Sequence, residues 1–127
     1  MVRFLKLLSI FSLLVIIACG VGRADQVTVT FGWQQDIPSP NDLKEWKLYK
    51  ANVTGGPYAQ IAVFPFTTVQ TEYTGVVVVS YPAGQKTKYF YVLTSVDIAG
   101  NESGYSNEVS LELDYQAPAA PKNLKIK

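Results

Sequence analysis

The chain has 127 residues and a formal net charge of +1, with 48% hydrophobic and 17% charged residues, no histidine and one cysteine. That length accommodates one domain of ordinary size. The composition excludes the usual neutral-pH proton shuttle, His/Cys zinc sets and an intramolecular disulfide, and so even a charge balance lacks the basic stripe that nucleic acid requires.

Residues 1–24 carry the first expected element, a signal helix. Arg3 and Lys6 make a short basic start, residues 7–18 (LLSIFSLLVIIA) form a predominantly apolar run, and small residues follow at Cys19, Gly20, Val21 and Gly22 before Arg23 and Ala24. This is the three-part layout of a secretory signal peptide. The uncharged stretch between Lys6 and Arg23 falls just short of the roughly 17–25 residues that a membrane-crossing helix needs, so export is expected over a retained anchor. Two cleavage sites compete. Residues 16–19 (IIAC) resemble the bacterial lipobox, in which the thiol of Cys19 takes a diacylglycerol and becomes the new terminus. Gly22, Arg23 and Ala24 ahead of Asp25 resemble an ordinary signal-peptidase site. The lipobox accounts for the position of the cysteine at the end of the apolar run. Either way the expected location is secreted or cell envelope, with membrane contact only through the signal or a lipid anchor.

From residue 25 onward the pattern has period two. Val27, Val29, Phe31 and Trp33 alternate with small or polar residues, as a half-buried strand requires. Pro38, Pro40, Asn41 and Asp42 break the run, and residues 45–50 resume it with Trp46 and Leu48 on one face and Lys47 and Tyr49 on the other. A turn cluster at 52–57 (NVTGGP) leads to a third strand at 58–64. A fourth is expected at 72–81 with a valine block at 76–79, and a fifth at 88–97. A tight connection at 97–103 precedes the sixth, where Val109, Leu111 and Leu113 alternate with Glu108, Ser110 and Glu112. Eight tyrosines, six phenylalanines and many β-branched residues suit strands, and no helical stripe follows residue 25. Six strands with turns at short spacing imply an antiparallel sandwich.

These residues also resemble a known family. Trp33 closing its strand, with Trp46, Lys47, Leu48 and Tyr49 on the next, resembles strands B and C of a fibronectin type III domain. Gly55, Gly56, Pro57 and Tyr58 with Ile61, Ala62 and Val63 are similar to the C′ region of bacterial members. Residues 89–97 (YFYVLTSVD) resemble the F strand, and residues 99–103 (AGNES) with 106–109 (SNEV) resemble the F–G turn and strand G. The resemblance covers residues 26–113; Ser95 stands where the family usually has alanine. It implies an all-β, immunoglobulin-like antiparallel β-sandwich at 25–115, with Trp33, Trp46, Leu48, Tyr89, Leu93, Val109 and Leu111 between the sheets. It also puts Tyr89 at the tyrosine-corner position, ring in the core and hydroxyl on nearby backbone.

Family members begin with a strand A, but here the residues before Gln26 belong to the signal region. Residues 116–127 contain a proline-bearing linker and then Leu124 and Ile126 in alternation, like the start of another such domain. One expectation is a disordered tail or the beginning of a further domain. The sharper one is that Leu124 and Ile126 fill the vacant A position, in the same molecule or in a neighbour.

No catalytic, metal or cofactor site is expected. Asp36 and Asp42 lie near the B–C connection without an assignable partner carboxylate. Asp97 with Gly100 and Asn101 reads as a structural turn, not a calcium loop. Gly55 and Gly56 lack the Lys-Ser/Thr and helix of a phosphate loop. Asn52 and Asn101 head glycosylation sequons whose use is not expected behind a bacterial-looking signal, and no Arg-Gly-Asp occurs. On the solvent face, Tyr49, Tyr58, Phe90, Tyr105 and Tyr115 offer either a stacking surface for a protein or glycan, or simple sheet packing and loop anchoring. Tyr105, in the F–G loop, is the first candidate for contact. The expected function is a non-enzymatic extracellular or cell-surface module for protein interaction, adhesion or spacing. The alternatives are an accessory carbohydrate-binding module and a strand-exchanging structural subunit.

Overall fold

The computed structural model describes Leu5–Lys6 and residues 25–127. The expected signal helix over the apolar run, and Cys19 with it, lie outside the described residues. Strands β1 (Leu5–Lys6), β2 (Asp25–Gln35), β3 (Leu43–Ala51), β4 (Ala59–Pro65), β5 (Tyr73–Tyr81), β6 (Lys86–Asp97) and β7 (Val109–Asp114) make up the ordered elements. They form a three-stranded sheet of order β1-β2-β5 and a four-stranded sheet of order β4-β3-β6-β7, antiparallel at every pairing. The chain folds as an all-β, fibronectin type III-like sandwich, and no helix occurs among the described residues.

Alternation decides which side chains meet. On β2 the apolar parity Val27, Val29, Phe31 and Trp33 turns inward, opposite Val79, Val77, Gly75 and Tyr73 of β5. On β3, Trp46 and Leu48 turn inward, and a bulge between Leu48 and Tyr49 adjusts the pairing with β4. The sheets meet through rings. Phe31 packs edge-to-face on Tyr91 at 4.9 Å, Trp33 on Trp46 at 5.2 Å, and Trp46 lies 4.6 Å from Tyr73. Gly75 is required by space, because a Cβ there would stand 2.5 Å from the Phe64 ring. These contacts set β5 over β4 and β3, and β2 over β3 and β6.

All seven residues placed between the sheets are buried in the core: Trp33, Trp46, Leu48, Tyr89, Leu93, Val109 and Leu111. Val27, Val29, Phe31, Leu43, Tyr73, Val79, Tyr81, Tyr91 and Leu113 complete it. The Tyr89 hydroxyl donates to the Ser80 carbonyl at 3.2 Å, the tyrosine-corner bond, and Lys50 Nζ sits 3.7 Å above its ring. The buried Gln35 side chain accepts from Trp46 Nε1 at 3.0 Å and donates to the Asp36 carbonyl at 3.0 Å, so its amide is used at both ends.

At the turn after β6, Asp97 accepts from the Asn101 backbone at 2.8 Å and its side chain at 3.0 Å, while Gly100 takes φ 88°. That is the structural role expected of the pair. Residues 116–127 form no strand, and Leu124 and Ile126 are fully exposed. Leu124 and Ile126 therefore do not take the A position beside β2 in this molecule, where the two-residue β1 meets β2 at Gln34 and Gln35 on the side away from β5.

Candidate functional site

Beyond Tyr91, which pairs with Val109, β6 has no strand on its β7 side among the described residues. The connection between β6 and β7 takes that place by lending serines. Ser103 and Ser106 backbone amides donate to the carbonyls of Ser95 and Leu93, both at 2.8 Å. In return the amides of Ser95 and Leu93 donate to the Ser103 and Ser106 hydroxyls, both at 2.9 Å. A short hydroxyl thus stands in for a ladder carbonyl, and the backbone of β6 is satisfied. The connection is thereby held close to β6, with a bridge between Val96 and Glu102, and Val92, Thr94 and Val96 are buried on what alternation makes the outer parity.

Two glutamates of this connection reach across the sheet. Glu102 Oε1 accepts from the Thr94 hydroxyl at 2.7 Å and from the Tyr49 hydroxyl. Glu108 accepts from the Thr54 hydroxyl at 2.7 Å, the Gly55 amide at 2.9 Å and the Tyr58 hydroxyl at 2.6 Å. Gly55 and Gly56, at φ 82° and 97°, turn the chain between β3 and β4 in a way that a side chain would strain. Between the two anchored tyrosines stands Tyr105, edge-to-face with Tyr49 at 5.5 Å and with Tyr58 at 5.0 Å. It remains 57% exposed.

Electrostatics follow from these bonds. Donated hydrogen bonds hold both carboxyls below their usual range, Tyr49 and Thr94 acting on Glu102, and Thr54, Tyr58 and Gly55 on Glu108. Burial first, then the bond to Glu102, push Tyr49 up to about 12. The bond to Glu108 raises Tyr58. Carboxylates so stabilised are weak bases, and these tyrosines stay protonated donors at neutral pH. The arrangement is suited to holding shape, not to moving protons.

Of the five solvent-face aromatics, the structure brings Tyr49, Tyr58 and Tyr105 together. Phe90 sits opposite Ala51 with Lys88 Nζ 5.6 Å from its ring centre, and its ring makes no contact with the three tyrosines. Tyr115 stacks on Tyr81 at 4.5 Å, at another corner of the sandwich. Glu102, Glu108, Thr54 and Thr94 were not legible in the sequence, because each loop acid reads as solvated until the fold supplies its partner. The nearest signal was parity, which turns Glu108 outward just ahead of Val109. No group of three or more potential metal-ligating side chains occurs among the described residues. The seam between Phe31, Trp33 and Tyr91 is too narrow to admit water.

Among solved structures, the chain is similar to a Fn3-like protein from Clostridium thermocellum, with 28% identity, a TM-score of 0.44, and coverage of 74% of this chain and 80% of that one. It is also similar to a beta-1,2-glucanase from Parabacteroides distasonis, with 22% identity and a TM-score of 0.47 over 91% of this chain. That match spans 14% of the glucanase chain. No protein-family model matches the chain, and no curated protein does.

Proposed function

We propose that this chain is an exported, non-enzymatic binding module that engages a protein partner at the cell surface through Tyr105 and its two flanking tyrosines. The observation that carries this reading is Tyr105 itself, a ring 57% exposed yet held between two others whose hydroxyls are tied down. A ring fixed before contact loses little freedom on binding, and tyrosine anchors of this kind dominate protein interfaces. Val63, half-exposed on β4 opposite Lys47, adds apolar surface on the same face. The interplanar angles of 68° and 61° make that surface ridged, whereas a sugar ring stacks best on flat, coplanar faces. Protein is therefore the favoured ligand class.

Tyr105→Ala is expected to weaken capture of surface proteins by at least about tenfold, with melting unchanged, since an exposed ring contributes little to the core. Binding on a glycan array that disappears with the same substitution would replace this reading with a carbohydrate-binding one. Export is supported by the signal layout of residues 1–24. Intact mass of the membrane-fraction protein separates an acylated Cys19, a free Asp25 terminus and an uncleaved chain.

A further inference from the structure

Tyr105 stands midway between Glu102 and Glu108 in the connection from β6 to β7. The two rings that flank it end on the same two acids. The Tyr49 hydroxyl donates to Glu102 and the Tyr58 hydroxyl to Glu108. An exposed ring is thus bracketed by two carboxylates whose positions are fixed.

Every bond those carboxylates accept comes from a neutral group. Glu102 takes the Thr94 and Tyr49 hydroxyls on Oε1, and its Oε2 accepts no hydrogen bond among the described residues. Glu108 takes the Thr54 and Tyr58 hydroxyls and the Gly55 amide. Neutral donors hold an anion in place without cancelling its charge, and the lowered pKa values keep both groups ionised at neutral pH. Cations are scarce around them. Residues 51–71 hold no charged side chain, and residues 98–108 hold only these two acids. Among the described residues neither glutamate forms an ion pair; Lys44 pairs with Glu45 and Lys86 with Glu112 instead. Lys50 aims its ammonium at the Tyr89 ring, and Lys47 acts on Glu102 only from beyond ion-pair distance.

The face of a phenol ring is the negative end of its own quadrupole. Ring and carboxylates therefore give one sign of field over Tyr105, and the complement is a cation that can lie on a single ring. A guanidinium meets both demands. It is planar, weakly hydrated, stacks on aromatic faces and donates to carboxylate oxygens. It is also small enough that the ridged set of rings is no obstacle. An ammonium is more strongly hydrated, and a neutral or acidic side chain gains nothing from the field.

We propose that the partner protein's contact on Tyr105 is an arginine side chain, its guanidinium laid on the exposed ring and its charge met by Glu102 and Glu108. Glu102 Oε2 is the open acceptor for it. This inference rests on the reading of Tyr105 as the contact residue. It narrows the partner to a protein that presents a basic side chain, and it makes the encounter weaken with salt.

The test is a titration of the isotope-labelled full chain with the blocked peptides Gly-Arg-Gly, Gly-Lys-Gly and Gly-Gln-Gly, and with choline. Gly-Arg-Gly is expected to move the amides of residues 102–108 at about a tenth of the concentration that Gly-Gln-Gly needs, with Gly-Lys-Gly between them. That preference should fade as salt rises toward about 1 M. Glu102→Gln and Glu108→Gln, which keep an acceptor for the hydroxyls, should each weaken the arginine peptide by about threefold. Glu112→Gln, on β7 beside Lys86, should not. Tyr105→Leu keeps apolar surface without a ring and should weaken it by about fivefold, with Tyr105→Phe losing less. Equal responses to the arginine and glutamine peptides, an arginine response indifferent to both glutamate substitutions, or tighter binding of choline would each overturn the inference while leaving Tyr105 as the contact residue. Capture of surface proteins that ignores Tyr105→Ala would instead overturn the reading beneath it.

Discussion

Tyr89 and Tyr91 sit two residues apart on β6, both turned inward, and differ in what their hydroxyls meet. Tyr89 donates to Ser80, whereas Tyr91 is 0% exposed and its hydroxyl has no hydrogen-bond partner among the described residues. Burial pushes the Tyr91 pKa well above the ordinary phenol value, as it must when the anion would have no water. A buried hydroxyl without a partner costs about 1–3 kcal/mol, while a satisfied one contributes about 1 kcal/mol. Removing each oxygen should therefore act in opposite directions. Tyr91→Phe is expected to raise stability by about 1 kcal/mol and Tyr89→Phe to lower it by about the same. Urea melts of the two variants check this, and a loss at position 91 would reveal a partner for that hydroxyl. Parity in the sequence places both rings correctly. It says nothing about their oxygens, whose fates depend on which backbone lies across the corner.

At the scale of elements, the sandwich strands were legible because alternation is local: Val27, Val29, Phe31 and Trp33, or Val109, Leu111 and Leu113, declare their face without reference to anything distant. The valine block at 76–79 divides the same way, Val77 and Val79 inward and Val76 and Val78 exposed. The site was legible only as a set of rings. Its anchors join residues some fifty positions apart, such as Tyr58 with Glu108 and Tyr49 with Glu102, and neither composition nor period encodes such pairs. The burial of Val92, Thr94 and Val96 was hidden for the same reason, since it arises where a connection is laid beside the strand by serine hydroxyls. That architecture makes Glu108 the pin of the turn between β3 and β4. Replacing it with alanine leaves Thr54, Gly55 and Tyr58 without their acceptor. Amide exchange at Gly55 is expected to speed up by roughly ten-fold while the core amides of β2 and β3 keep their protection. Unchanged exchange at Gly55 would mean that the glycine turn holds itself.

For the sandwich as a whole, with no histidine in the chain and its one cysteine at position 19 ahead of the sandwich, a wide pH interval remains in which no sandwich side chain with an ordinary pKa titrates. The limits of that interval are set by hydrogen-bonded carboxyls on the acid side and by buried or hydrogen-bonded tyrosines on the alkaline side. Glu102 and Glu108 have folded pKa values below the unfolded ones. Their contribution is present above the usual carboxylate range, and it is lost as pH falls through the lowered folded values, where the unfolded chain binds more protons. On the alkaline side the sign reverses. Tyr49, raised to about 12, together with Tyr58, Tyr81 and Tyr91, keeps its proton in the fold after the unfolded chain has released it near pH 10. Stability is then full below about pH 10 and drains away as pH climbs toward the folded values. Lys86, raised by Glu112, adds to this limb, and Lys50, lowered by burial above the Tyr89 ring, opposes it. Four tyrosines outweigh one lysine. The urea midpoint is therefore expected to stay level between about pH 6 and 9 and to fall on both sides. Glu102→Gln and Glu108→Gln should flatten the acid limb while leaving the alkaline one steep. A midpoint that moves substantially within the plateau, or an acid limb indifferent to both substitutions, would show that groups other than these two carboxylates govern the pH response.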